Sequence, residues 1–233
     1  VHYALKTPAD FKAKVLENEL SGLVMNLDDT EFYSRLIGRF NAYNLLAVYA
    51  VATLLGQDKI ETLGVLSNLQ SVAGRFQYLK VSGGPTTIVD YAHTPDALRN
   101  VLETIKAVKQ TDSRLITVIG CGGDRDKEKR PIMAAIASDM SEQLILTSDN
   151  PRTEAPSAIL NDMQKGLDDE QLNNAFVMED RKEAIKLAVK LANESDVILI
   201  AGKGHEKYQE IDGVRYDFDD YEIASEFTNQ MTP

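Results

Sequence analysis

Leu115-Ile116-Thr117-Val118-Ile119-Gly120, followed by Cys121-Gly122-Gly123-Asp124-Arg125-Asp126-Lys127-Glu128-Lys129-Arg130-Pro131, decides the fold. The first part is short, apolar and β-branched, as in a strand buried on both faces. The second is a polar, glycine-bearing loop that runs to a proline suited to the first turn of a helix. The same unit recurs along the chain. Strands are expected at residues 88–91, 115–120, 144–148, 176–178 and 197–201, and helices at 95–109, 131–140, 156–167 and 181–193. Strands alternating with helices of this length imply right-handed crossovers, hence an α/β, Rossmann-like, mostly parallel sheet with helices on both faces. A hairpin turning at Asp212-Gly213 and a helix from Tyr221 close the chain.

Before Arg75 the rhythm is different. Residues 11–16, 22–27 and 31–37 read as short strands of an antiparallel meander, with Asp28-Asp29 as the turn between the last two. A helix is expected over 41–55, where Leu45, Leu46, Val48, Tyr49, Ala52 and Leu55 recur at helical spacing and Gly56 ends the run. A second helix follows at 59–69, and 71–75 reads as a connector. The expectation is two domains, 1–75 and 76–233.

Composition narrows the function. A net charge of −11 argues against nonspecific attraction to nucleic acid or an anionic membrane. Cys121 is the only cysteine, so an internal disulfide is excluded, and it reads as a small buried residue at a strand end. There is no membrane-length apolar run and no signal-peptide pattern, which makes the cytoplasm the expected compartment. Val1 and the strand-like start lead to the expectation that an N-terminal part is missing.

Ligands of a parallel sheet bind outside the strand ends, so the loops that leave the strands are the place to look. In the 121–131 loop the paired glycines permit close backbone approach and Arg125 offers a bidentate donor to an anion. The alternative is a solvated loop in which arginine and aspartate pair with each other. Asp149-Asn150-Pro151-Arg152 presents polar side chains on a proline-stiffened turn, or else is a surface turn before a helix capped by Thr153 or Ser157. Gly202-Lys203-Gly204-His205-Glu206 lacks the G-x-x-x-x-G-K-[ST] spacing of a phosphate loop. There Gly202 reads as a point of close approach, Glu206 as facing a ligand cation, and His205 as a structural histidine. Asp90 and His93 flank a strand end before Thr94-Pro95, a helix start in its own right. Three apart, they can also both point into the cleft.

Together with Gly38-Arg39-Phe40-Asn41-Ala42-Tyr43-Asn44, Gly74-Arg75-Phe76 and the 90–96 run, these loops resemble the Mur ligase family, E type, over about residues 38–227. The resemblance implies an ATP- and Mg2+-dependent ligase of peptidoglycan synthesis, and so of cell-wall biogenesis, cell shape and division. It adds meso-diaminopimelate to UDP-N-acetylmuramoyl-L-alanyl-D-glutamate through an acyl phosphate. Residues 1–75 would be the end of its central ATP-binding domain, and 76–233 its C-terminal amino-acid-binding domain. Neither the phosphate loop nor the region of the family's carbamylated lysine is in this sequence, so the resemblance assigns no catalytic or metal-binding residue here and implies that this stretch by itself does not run the full reaction.

The same resemblance gives diaminopimelate to Arg125, Asp149, Asn150, Pro151, Arg152, Gly202 and Glu206. Arg152 is expected to grip the second carboxylate, the group that lysine lacks. ATP contacts fall to Asn44, Arg75, Asp90 and His93. Implied partners are these substrates, with no nucleic acid or membrane, and the protein is expected to be a monomer. Two other readings stay open: a related ligase adding L-lysine, and a noncatalytic doubly wound binding module.

Overall fold

The computed structural model describes residues 1–231, so the last two positions of the expected 76–233 domain lie outside the described residues. The chain forms two compact units, Val1–Ser71 with Ala107–Lys109, and Val72–Lys106 with the chain from Gln110 onward.

In the first unit β1 (Tyr3–Ala4) pairs in parallel with β2 (Phe11–Glu19), and β3 (Gly22–Leu27) and β4 (Thr30–Ser34) continue antiparallel. The Asp28-Asp29 turn has positive φ at both residues, the two-residue geometry that matches strand twist. α1 (Arg39–Leu54) and α2 (Lys59–Ser67) follow, and Asp58 caps α2 through the Glu61 amide at 2.9 Å. Leu23, Met25 and Leu27 of β3 meet Leu45, Leu46, Tyr49, Leu63 and Leu66 in one core.

The second unit carries β5 (Gln77–Lys80), β6 (Thr86–Asp90), α3 (Pro95–Val108), β7 (Leu115–Ile119), α4 (Lys129–Asp139) and β8 (Gln143–Thr147). It goes on with α5 (Pro156–Gln164), α6 (Asp169–Asn174), β9 (Phe176–Met178), α7 (Arg181–Leu191) and β10 (Val197–Ala201). The hairpin β11 (Tyr208–Ile211) and β12 (Val214–Asp217) and then α8 (Asp220–Met231) complete it. The sheet order is β5-β6-β10-β7-β8-β9, parallel except for β5. Ile116, Val118, Ile145, Ile198 and Ile200 bury one sheet face against Ala184, Ile185, Ala188, Val189, Ala224 and Phe227 of α7 and α8. No helix is long and apolar enough to cross a membrane among the described residues.

Several sequence expectations need correction. The helix expected at Pro131 begins at Lys129, because a proline is tolerated anywhere in the first turn, where amides have no helical partner. Strand β5 was not anticipated: Gln77-Tyr78-Leu79-Lys80 is half-polar, as an edge strand can be. Helix α6 was also unforeseen, though Asp168 and Gln171 form a capping box. Neither Thr153 nor Ser157 caps α5, whose N-cap is Ala155.

At the C-terminal edge of the sheet Arg181 is fully buried and binds Asp220, equally buried, through two bonds of 2.8 Å. Two more of its donors reach the carbonyls of Ser148 (3.3 Å) and Ala201 (3.1 Å), tying together the ends of β8 and β10. Asp220→Asn therefore leaves a buried guanidinium short of its counter-charge and is expected to cost about 3–5 kcal/mol in urea unfolding. A loss below about 1 kcal/mol, the range of an exposed pair, contradicts this reading of the pair.

Candidate functional site

Because β6, β10, β7 and β8 are neighbours, the loops leaving their C-terminal ends meet. Together with the hairpin they enclose a cavity of about 600 Å3 whose wall includes Gly122, Arg125, Asp149, Asn150, Arg152, Gly202 and Glu206, and also His93. Arg125, Lys129, Arg152 and Arg215 set cations around it and Asp126, Asp149, Glu206 and Glu210 set acids, a mixed lining suited to a zwitterion.

The loops are interlocked. The Gly123 amide donates to the Asn150 carbonyl (2.9 Å), and a Cβ on Gly123 would lie 1.9 Å from the Pro151 carbonyl oxygen, so only glycine fits. The close approach expected of this glycine pair is thus made by Gly123 to another loop. Thr153 donates through its hydroxyl to Asp124 (2.8 Å), the contact it makes in place of a helix cap. Buried Arg130 donates to Glu154 (2.8 and 3.0 Å) and Asp162 (3.0 Å), and the Asp124 amide also donates to Glu154 (2.7 Å). These contacts, Arg130 first, pull the Glu154 carboxyl down to about 2.

Arg152 has φ of 52°, a strained value for a side chain of its size. Its amide donates to the Glu210 carbonyl (3.0 Å) and its carbonyl accepts from the Asp212 amide (2.7 Å), so β11 holds the strained residue in place. The guanidinium gives one of its five N–H groups to the Gly123 carbonyl at 2.8 Å.

Asn150 is the joint of the site. Its Oδ1 accepts from Lys203 Nζ (2.7 Å) and the Glu210 amide (3.0 Å), and its Nδ2 donates to Glu206 Oε2 (2.8 Å). Lys203, fully buried, also donates to the Tyr208 carbonyl (2.8 Å) and pairs with Asp149 Oδ1 at 3.2 Å, an ion pair without hydrogen-bond alignment. Burial lowers the Lys203 ammonium and the Asp149 charge opposes the shift. At Gly202, φ is 117° and a Cβ would sit 2.8 Å from Asp149 Oδ2, which explains the glycine.

The second group of expected residues is less concentrated. His93 lines the cavity, its Nδ1 donating to the Tyr91 carbonyl (2.8 Å). Asp90 and His93 do not converge as expected. The Asp90 carboxylate accepts from the amides of Phe76 (2.7 Å) and Ala92 (2.9 Å), and burial pushes it up against those bonds. Arg75 is exposed, its guanidinium 5.2 Å above the Tyr91 ring, and the ring of His205, also exposed, lies tilted against Tyr91 with centroids 5.1 Å apart. Asn44 stands exposed on α1 of the first unit and donates to Asn41 (3.2 Å). Thr94 caps α3 through the Ala97 amide. Cys121 is buried, its thiol pushed up to about 12 by that burial, and is no nucleophile at neutral pH.

Sequence reasoning missed Tyr91, Lys129, Tyr208, Glu210 and Arg215 in the wall and Lys203 beneath it. One signal was available. The two-residue turn at Asp212-Gly213 sets Glu210 opposite Arg215, and strand alternation puts Tyr208 and Glu210 on one face.

The family pattern "Mur ligase, glutamate ligase domain" matches residues 74–204. A Cytophaga hutchinsonii protein called UDP-N-acetylmuramoyl-L-alanyl-D-glutamate--2,6-diaminopimelate ligase is 53% identical over 98% of this chain and 47% of its own length. One of the same name from Halalkalibacterium halodurans is 45% identical over 97% and 46%. A solved structure with this title superposes with a TM-score of 0.76 at 40% identity, covering 99% of this chain and 48% of that one. The chain spans about half the length of the curated relatives it matches.

The Glu154 environment generates a pH prediction. Its folded value of about 2 lies below the ordinary 4.5, so its stabilisation is present above about pH 4.5 and is lost as pH falls toward 2. Urea midpoints should fall between pH 5 and pH 3 more steeply for the unmodified chain than for Glu154→Gln. Equal slopes contradict the assignment.

Proposed function

The chain belongs to the Mur ligase family, and on that premise we propose that it forms the amino-acid-binding part of an ATP-dependent ligase joining meso-diaminopimelate to UDP-N-acetylmuramoyl-L-alanyl-D-glutamate. In this reading residues 1–75 end the ATP-binding domain and 76–233 form the amino-acid-binding domain. The proposal puts the protein in the cytoplasm, acting as a monomer in peptidoglycan synthesis. The observation that carries it is Arg152, pinned at one corner by Gly123 in a cavity that also holds Arg125 and Glu206.

Diaminopimelate differs from lysine by a second carboxylate on its distal carbon. A planar guanidinium meets that group through two parallel bonds, and the Gly123 bond with the β11 bridge pre-orders it at little further entropy cost. Lysine would leave the fork unpaired, a penalty of about 1–3 kcal/mol. Glu206 and the backbone at Gly202 take the distal ammonium, and Arg125 takes the other carboxylate. Asp149, Asn150 and Pro151 act by holding Arg152 and Glu206 in place. The attacking group is then the free amine of the proximal centre.

ATP, when bound, supplies the phosphoryl group that activates the dipeptide carboxylate as an acyl phosphate, with Mg2+ screening the phosphates. Exposed Arg75 over Tyr91 suits a phosphate, and His93 stands at the cavity edge. Asp90 supports the turn that carries Arg75 through the Phe76 amide. Asn44 is assigned to the nucleotide on the family resemblance. Among the described residues no group of three or more His, Cys, Asp or Glu is set to hold a metal, so Mg2+ is assigned no ligand here.

Isothermal titration of the chain should give meso-diaminopimelate at least about tenfold tighter binding than L-lysine. Arg152→Ala should erase the difference. Equal binding of both, unchanged by Arg152→Ala, refutes the proposal.

A further inference from the structure

Lys203 lies fully buried behind the cavity and does not line it. Two acceptors take hydrogen bonds from this ammonium, Asn150 Oδ1 at 2.7 Å and the Tyr208 carbonyl at 2.8 Å, and Asp149 Oδ1 faces it as an ion pair at 3.2 Å. Glu206 Oε2 lies further off, at 3.8 Å, and the charges of Arg181 and Asp220 also act on it. Burying such a charge is costly unless the ion is matched on every side, so the site favours one arrangement strongly.

That arrangement dictates the direction of the Asn150 amide. Its oxygen faces two obligate donors, the Lys203 ammonium and the Glu210 amide, so the oxygen must point inward and the NH2 group toward the cavity. There it donates to Glu206 Oε2 and leaves Oε1 of the cavity-lining carboxylate for a ligand. We propose that Lys203 is a positioning residue that fixes, through Asn150, the Glu206 carboxylate that reads the distal ammonium of the amino acid. The inference rests on the function proposed above and deepens it. Without the ammonium only the Glu210 amide holds the oxygen inward, so the amide flips more readily, and in the flipped state its oxygen faces Glu206 and repels it.

A purely structural lysine would serve every ligand of the cavity alike, whereas this one acts through Glu206, and the Arg152 guanidinium is held separately by the Gly123 carbonyl. The test compares meso-diaminopimelate with L-2-aminopimelate, which keeps the distal carboxylate and lacks the distal amine, by titration of the full chain. Lys203→Met should weaken meso-diaminopimelate at least about tenfold while changing L-2-aminopimelate less than about threefold. In a Glu206→Gln background the same substitution should cost meso-diaminopimelate little more, because the two residues act as one unit. Asn150→Asp, which keeps an acceptor for Lys203 and removes the donor to Glu206, should show the same selective loss and serves if Lys203→Met does not fold. Equal weakening of both ligands overturns the inference and leaves the proposed function standing. Failure of the unmodified chain to bind meso-diaminopimelate overturns both.

Discussion

The side chain of Asn150 is the point on which the second unit's site turns. It lies at the end of β8, and its two polar atoms reach Lys203 and Glu206 beyond β10 and the Glu210 amide on the hairpin. A buried amide with unmet partners costs about 1–3 kcal/mol, so satisfying it couples three segments that are distant in sequence. Remove that joint and the sheet and the separately held Arg152 remain, but Glu206 loses the partner that aims it into the cavity.

Three buried cations extend the same logic outward. Arg181 ties the ends of β8 and β10 to the start of α8, Arg130 ties the 121–128 loop to Glu154, and Lys203 ties the glycine loop to the hairpin. Each is matched by carboxylates, and each stands behind the cavity wall rather than in it. Two of the acids that line the cavity, Asp149 and Glu206, are thus paired with a charge that does not touch its contents. Such preorganisation lowers the ordering cost of binding, which is where affinity and selectivity for a small zwitterion come from. Positive φ at Arg152, held by its bridge to β11, fits that pattern of local strain kept by surrounding bonds.

The juxtaposition of the loops was legible in the sequence because parallel strands send their C-terminal loops to one edge, whatever the side chains. The division of labour within the loops was not. Asn150 and Lys203 are 53 residues apart, and nothing local reveals that the asparagine, though in the cavity wall, spends its amide on Lys203 and Glu206 while the arginine two positions on keeps most of its donors for the cavity. Arg130 and Arg181 sit near helix starts among charged neighbours, where nothing local marks a buried residue, yet both are buried. Strand β5 and helix α6 escaped because their sequences are polar and short, below what periodicity resolves. The hairpin was foreseen from Asp212-Gly213, but its contribution to the wall depends on where it folds back, and that is set by Arg152 and Asp149.

A crystal structure of the chain with meso-diaminopimelate bound tests the central claim most directly. The account predicts both oxygens of the distal carboxylate at about 3 Å from the Arg152 guanidinium, with the neighbouring ammonium against Glu206. A ligand whose distal carboxylate rests on Arg215 or in solvent, with Arg152 turned away from it, would contradict the account.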